Sequence, residues 1–79
     1  MTDTRRHFTT VRPAKLRHRL GTRVRVLVGE VFLEYVAEVV GYTASKSPHY
    51  GLRFIDHPWQ DKQSDMCWYF AEHEVELAE

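Results

Sequence analysis

Five histidines, one cysteine and a close-set group of glutamates are the residues of this chain that could bind a metal, attack a carbonyl or move a proton. Their spacing argues against each use. His7, His18, His49, His57 and His73 form no His-x-x-x-His or His-Glu-x-x-His pair, and Cys67 has no second cysteine for a Cys-x-x-Cys ligand set. His49 and His57 flank one stretch but stand at its two ends, so exposed loop positions and no metal are expected. Cys67 lies between Met66 and Trp68 with acidic residues following, where no cation stands by to favour a thiolate nucleophile. Glu72, Glu74 and Glu76 recur every second residue, which lines them along a wet face instead of opposing them across a substrate. The four glycines are scattered and make no phosphate-cradling loop. The expectation is a protein that is not an enzyme and carries no cofactor.

Binding chemistry is better represented. Residues 1–25 hold eight cations against Asp3 alone, a local charge of +7, while residues 26–79 carry −7, so the net charge of zero hides a strong asymmetry. Arg5, Arg6, Arg12, Lys15, Arg17 and Arg19 are candidates for phosphate contact, because guanidinium and ammonium groups neutralise a nucleic-acid backbone. Only Phe8 interleaves with them, so base stacking on a single strand is not indicated. The same charges could instead pair with the chain's own carboxylates or with a second copy. Tyr42, Tyr50 and Trp59 stand in or beside loops, and rings of this kind anchor protein interfaces by hiding a large area with few rotatable bonds. Trp59, in "DHPWQD", has no periodic reason to be buried; it either anchors a partner or folds over an open end of the domain. Glu34 and Glu38 add an acidic face to this candidate protein-binding set.

The elements that position these residues follow from periodicity. Residues 1–12 read as a polar arm. In "PAKLRHRLG" Pro13 suits a helix start, Gly21 a helix end, and Leu16 and Leu20 are four apart, which predicts a short basic helix. From Thr22 the period changes to two: "TRVRVLV" places Val24, Val26 and Val28 on one face of a strand. "VFLEYVAEVVGY" predicts a long strand with Leu33, Tyr35, Ala37 and Val39 inward and Glu34 and Glu38 outward. "TASKSP" is a loop, "HYGLRFI" a strand that alternates Tyr50, Leu52 and Phe54 around Gly51 and Arg53, and "DHPWQDKQSD" a second loop. "MCWYF" and "VEL" predict two short strands joined by a 3₁₀-like turn at "AEHE", with Trp68 in the core and Val75 and Leu77 inward. A helix through these residues would scatter Trp68, Tyr69 and Phe70 around its surface.

Seventy-nine residues make one small domain, which buries roughly 60% of the surface exposed by its unfolded chain. With one cysteine and no apolar run of signal-peptide or membrane-spanning length, a soluble cytoplasmic protein is expected. The segments "GTRVRVL", "YGLRF" and "WYFAEHEVEL" resemble the first, third and last strands of SH3-like barrels, in particular the small bacterial and phage-type domains that open G-x-x-V-x-V. The likeness covers about residues 21–78 and leaves 1–20 as a basic arm with its short helix. It implies a mainly β fold, a five-stranded SH3-like barrel. The tandem Trp and the P-x-x-Y element of signalling SH3 domains are missing, so proline-rich peptide binding is not implied. Size and resemblance together suggest a non-enzymatic accessory protein of the phage or mobile-element kind. Such a protein docks on and occludes a host protein or protein–nucleic acid complex; the alternative is a nucleic-acid binder using the basic arm.

Overall fold

A computed structural model describes residues 8–60 and 67–78. The chain is mainly β, with six strands: β1 (Phe8–Thr9), β2 (Arg23–Val26), β3 (Val36–Thr43), β4 (Tyr50–Phe54), β5 (Trp68–Phe70) and β6 (Val75–Leu77). All pairings are antiparallel, and the sheet runs β5-β4-β3-β2-β6, with β1 also on β3. β5 and β6 stand at opposite edges, about 19 Å apart in a flat sheet. Yet only residues 71–74 join them, with Glu72–Glu74 in a 3₁₀ turn that rises about 2 Å per residue. That connection is too short for a flat sheet, so the sheet bends strongly. No ladder joins β5 to β6 among the described residues, and the bent sheet stays open.

The inner face is one cluster: Leu16, Val24, Val26, Ala37, Val39, Tyr42, Tyr50, Leu52, Phe54, Phe70 and Val75, with Phe32 and Trp68 packed against it. The expected inward residues of β2 and β4 are therefore buried, and strand, 3₁₀ turn and strand follow one another at residues 68–77 as predicted. Val28 and Leu77 are exposed instead, because β2 ends at Val26 and Leu77 lies at the last position of an edge strand. Met66 lies outside the described residues.

Two expectations are corrected. No helix forms over residues 13–20. A single turn closes from the Leu16 amide to the Pro13 carbonyl, and the backbone beyond it bonds to side chains elsewhere in the fold. Leu16 is buried while Leu20 is exposed, so the four-residue spacing marks no apolar edge. These residues form an irregular strap over the bent sheet, and a two-turn helix has too little intrinsic stability to compete.

The long strand predicted over 31–42 also starts late, at Val36. The chain turns through Gly29 (φ 78°) and Glu34 (φ 71°), with bonds from the Phe32 amide to Gly29 and from the Tyr35 amide to Phe32. Phe32 goes inward and stacks on Phe54 at 5.0 Å, so Leu33 and Tyr35 face out, the reverse of the predicted parity. From Ala37 the predicted parity holds, until the register shifts between Val39 and Gly41 and turns Tyr42 inward opposite Tyr50.

β1 is an addition that polar composition did not announce. It occupies the β2 side of β3 beyond the end of β2, and Phe8 lies over the paired Gly41 and Gly51. A Cβ on Gly41 would fall inside the Phe8 ring. Gly41→Ala should therefore cost about 1 kcal/mol in urea denaturation, the low end of overpacking because the ring can swing off the sheet. The cost should vanish in a Phe8→Ala background; additive losses would place the constraint elsewhere.

Candidate binding surface

The sequence-predicted residues divide between the two ends of the β3–β4 hairpin. Tyr42 and Tyr50, expected as exposed anchors, are fully buried and are removed from the surface set. Trp59 is 55% exposed. Glu34 is exposed in the turn before β3, and Glu38 is exposed on β3, opposite Arg23 on one side and Arg53 on the other. Arg12, Lys15, Arg17 and Arg19 are exposed along the strap. Arg5 and Arg6 lie outside the described residues.

Trp59 is held by a turn with unusually complete bonding. The Gln60 amide donates to the His57 carbonyl, and the Gln60 side-chain carbonyl accepts from the Phe54 amide, clipping the turn to the end of β4. The Trp59 amide donates to His57 Nδ1 at 3.0 Å. The ring proton of His57 is therefore on Nε2, which donates to the Val31 carbonyl. Both nitrogens of this buried imidazole are satisfied in its neutral form. The Trp59 ring meets Phe32 edge-on at 5.9 Å, His57 at 5.6 Å and Trp68 at 6.5 Å. Tyr35 closes on the same imidazole at 4.4 Å.

The result is a shelf whose inner layer is Phe32, His57, Phe54 and Trp68. Its outer layer is Val31, Tyr35 and Trp59, all exposed, with Leu33 and Ile55 exposed in the same two loops. Exposed Glu30, Glu34 and Asp56 stand in the same two loops, which contain no lysine or arginine over 27–35 and 55–60. These two loops therefore present carboxylates without cations of their own, and Leu33 and Glu34 also border a depression with Arg25 and Glu76. Sequence reading found Trp59 and Glu34 and missed the others. Gly29 and the "DHPW" turn were the available signals, but neither says that Phe32 turns inward.

At the other end, the two buried tyrosines hold the strap by its backbone. Tyr42 donates to the His18 carbonyl at 2.8 Å, and Tyr50 accepts from the His18 amide at 3.0 Å. Tyr50 in turn donates to Glu72, which also accepts from the Arg17 amide (3.2 Å) and from Arg17 Nε (2.6 Å). Arg12 reaches back to the Leu16 carbonyl at 2.7 Å. Burial, with the Glu72 hydrogen bond adding to it, pushes the Tyr50 phenol up to about 12. Burial also raises Tyr42, against the opposing pull of Arg12. For Glu72 burial acts to raise the carboxyl, but the bonds from Tyr50 and Arg17 together outweigh it and hold it below the usual range.

Among the described residues no group of three or more His, Cys, Asp or Glu is placed to hold a metal. No described helix is long and apolar enough to cross a membrane. Comparison of the chain with protein-family models, curated proteins and solved structures gave no match in any of the three.

The strap bonds give stability a pH dependence at both extremes. Glu72 is depressed in the fold, so its contribution is present above the ordinary carboxylate range and is lost as pH falls through its folded value. Tyr50 is raised, so its contribution is complete below its ordinary value of 10.0 and disappears as pH rises toward about 12. Denaturation midpoints across pH should show Glu72→Gln losing stability at neutral pH while flattening the acid limb. Tyr50→Phe should flatten the alkaline limb. Unchanged limbs in both variants would mean that the strap is not held this way.

Proposed function

We propose that this chain is a non-enzymatic binding module with an SH3-like barrel fold, and that it docks on another protein through the Trp59 shelf. The fold reading is supported by the strand order and by the final 3₁₀ turn that carries the chain from one sheet edge to the other, the arrangement such barrels use to close. The single observation behind the binding reading is the exposure of Trp59 on a hydrogen-bonded turn, beside exposed Tyr35 and Val31 around the same buried imidazole. Contiguous apolar surface on a small domain marks an interaction site, and tryptophan is the side chain most enriched among interface hot spots. The acidic surroundings select a partner with an apolar pocket bordered by lysine or arginine. On this reading the protein acts by occlusion, covering a site on a host protein or protein–nucleic acid complex in the cytoplasm, as small phage- or mobile-element-type accessory proteins do.

Recovery of partners from source cells with tagged wild type, Trp59→Ala and Tyr35→Ala tests the reading. Wild type should retain one protein in stoichiometric amount, and Trp59→Ala should lose it while keeping the wild-type circular dichroism spectrum. The expected cost is about 2 kcal/mol or more, roughly 30-fold in affinity. A Trp59→Ala variant that stays folded and recovers the same protein at the same yield removes the shelf from consideration.

A further inference from the structure

The strap end carries a second surface, independent of the Trp59 shelf. Lys15 and Lys46 come from different elements, the strap and the β3–β4 loop, and line one depression, where Lys15 Nζ donates to the Lys46 carbonyl at 3.5 Å. Together with His49 and His73 they border a shallow depression of about 540 Å³. Its apolar floor is supplied in part by Leu16, which is buried. Glu72 is the carboxylate among the described residues lining it, and Arg17 and Tyr50 already occupy that group. Arg17 remains 77% exposed at its side chain despite the pair, and Arg19 is exposed two residues further along the strap. This end therefore sets Lys15, Arg17 and Lys46 about one committed carboxylate, with Arg12 and Arg19 exposed on the same strap.

The way the strap is held explains why its cations face outward. Its polar backbone groups are taken by Tyr42, Tyr50, Glu72 and Arg12, and its one buried side chain is Leu16. The flanking Lys15 and Arg17 lie at the surface, Lys15 against the Lys46 carbonyl and Arg17 beside Glu72. Among the described residues neither Lys15 nor Lys46 pairs with a carboxylate, so both charges remain for an anion from outside.

We propose that this basic end binds the phosphate backbone of nucleic acid. No exposed aromatic or large aliphatic side chain lines the depression, so it lacks the apolar anchor that a protein partner requires. Phosphate contact needs charge and hydrogen-bond donors alone, and it is independent of base sequence. Without a ring for stacking, the backbone of a duplex is the suitable form.

Fluorescence anisotropy of a short mixed-sequence DNA duplex, titrated with the full chain between about 50 and 200 mM salt, tests the assignment. Wild type should bind with an affinity that falls steeply with salt and does not depend on sequence. Lys15→Gln combined with Lys46→Gln, both exposed and remote from the core, should lower the salt slope by about 2, one for each lysine. Trp59→Ala should bind the duplex as wild type does. The assignment is overturned if wild type fails to bind near 50 mM salt, or if the double variant keeps the wild-type slope. It is also overturned if polyglutamate binds as tightly as the duplex, which would assign this end to an acidic protein surface.

Discussion

The shortness of the connection between Phe70 and Val75 governs this structure. β5 and β6 are consecutive in the chain and lie at opposite edges of the sheet, and four residues carry the chain between them. Bending the sheet is the only way to make that connection. A sheet bent this far has an inside that its own alternating side chains fill and two ends that they do not. Each end needs a side chain from outside the strands. Leu16 enters from the strap at the end where Tyr42 and Tyr50 lie, and Phe32 enters from the turn before β3 against Phe54 and Trp68. A buried leucine or phenylalanine contributes roughly 1.5–3 kcal/mol, a large share of the stability of a domain this size. That gain fixes the path of both segments, and the path fixes what their neighbours present to water.

The two surfaces are consequences of those insertions. Placing Phe32 inside puts Val31, Leu33 and Tyr35 outside, beside Trp59. Placing Leu16 inside puts Lys15 and Arg17 outside, beside Lys46. The charge asymmetry of the sequence is then partly consumed by the fold and partly sorted by it. Arg25 faces Glu76 at 3.6 Å across β2 and β6, Arg17 pairs with Glu72, and Glu38 stands in register between Arg23 and Arg53. Exposed pairs of this kind contribute at most about 1 kcal/mol each. Their larger effect is to neutralise the middle of the molecule, leaving the strap end positive and the shelf end negative.

How much of this was legible depends on whether a residue's neighbours in sequence are also its partners in space. Val24 and Val26, and Leu52 and Phe54, were legible because a period-two pattern settles their faces without knowledge of the rest. The segment 31–35 was not, because apolar residues stand on both parities there and a one-residue change reverses every side chain. Phe32 was chosen over Leu33 by the aromatic rings of β4 and β5, which are distant in sequence. Tyr42 and Tyr50 were misread for the related reason that an aromatic beside a loop can be buried when its hydroxyl finds a partner. Here the partner is the backbone of His18 and the carboxylate of Glu72. The helix read over 13–20 failed because those same hydroxyls offer the strap backbone what a helix would. Trp59 was left open between an exposed anchor and a plug over an open end, and its exposure was decided by the fold, while its neighbour His57 became visible only with the Val31 carbonyl in place.

The two ends also differ in what binding would require of them. Trp59 is presented already ordered, its turn closed by Gln60 and its own amide fixed to His57, and a tryptophan has two side-chain torsions to fix. Little conformational entropy remains to be lost when it is covered, so area buried there converts into affinity with small loss. Lys15, Lys46 and Arg19 are long exposed chains, each carrying up to about 2 kcal/mol of rotamer entropy that a fixed contact would remove. They are suited to contacts that stay loose, and a field of several like charges acts at distances of about 8–10 Å before any contact forms. On the proposed reading the division of labour follows from this difference. The basic end raises the rate at which the molecule reaches a nucleic-acid-bearing target, and the preorganised shelf sets how slowly it leaves. A complex presenting protein beside nucleic acid would engage both ends at once, which converts two modest affinities into one larger one only if the spacing of its two sites matches that of the two surfaces.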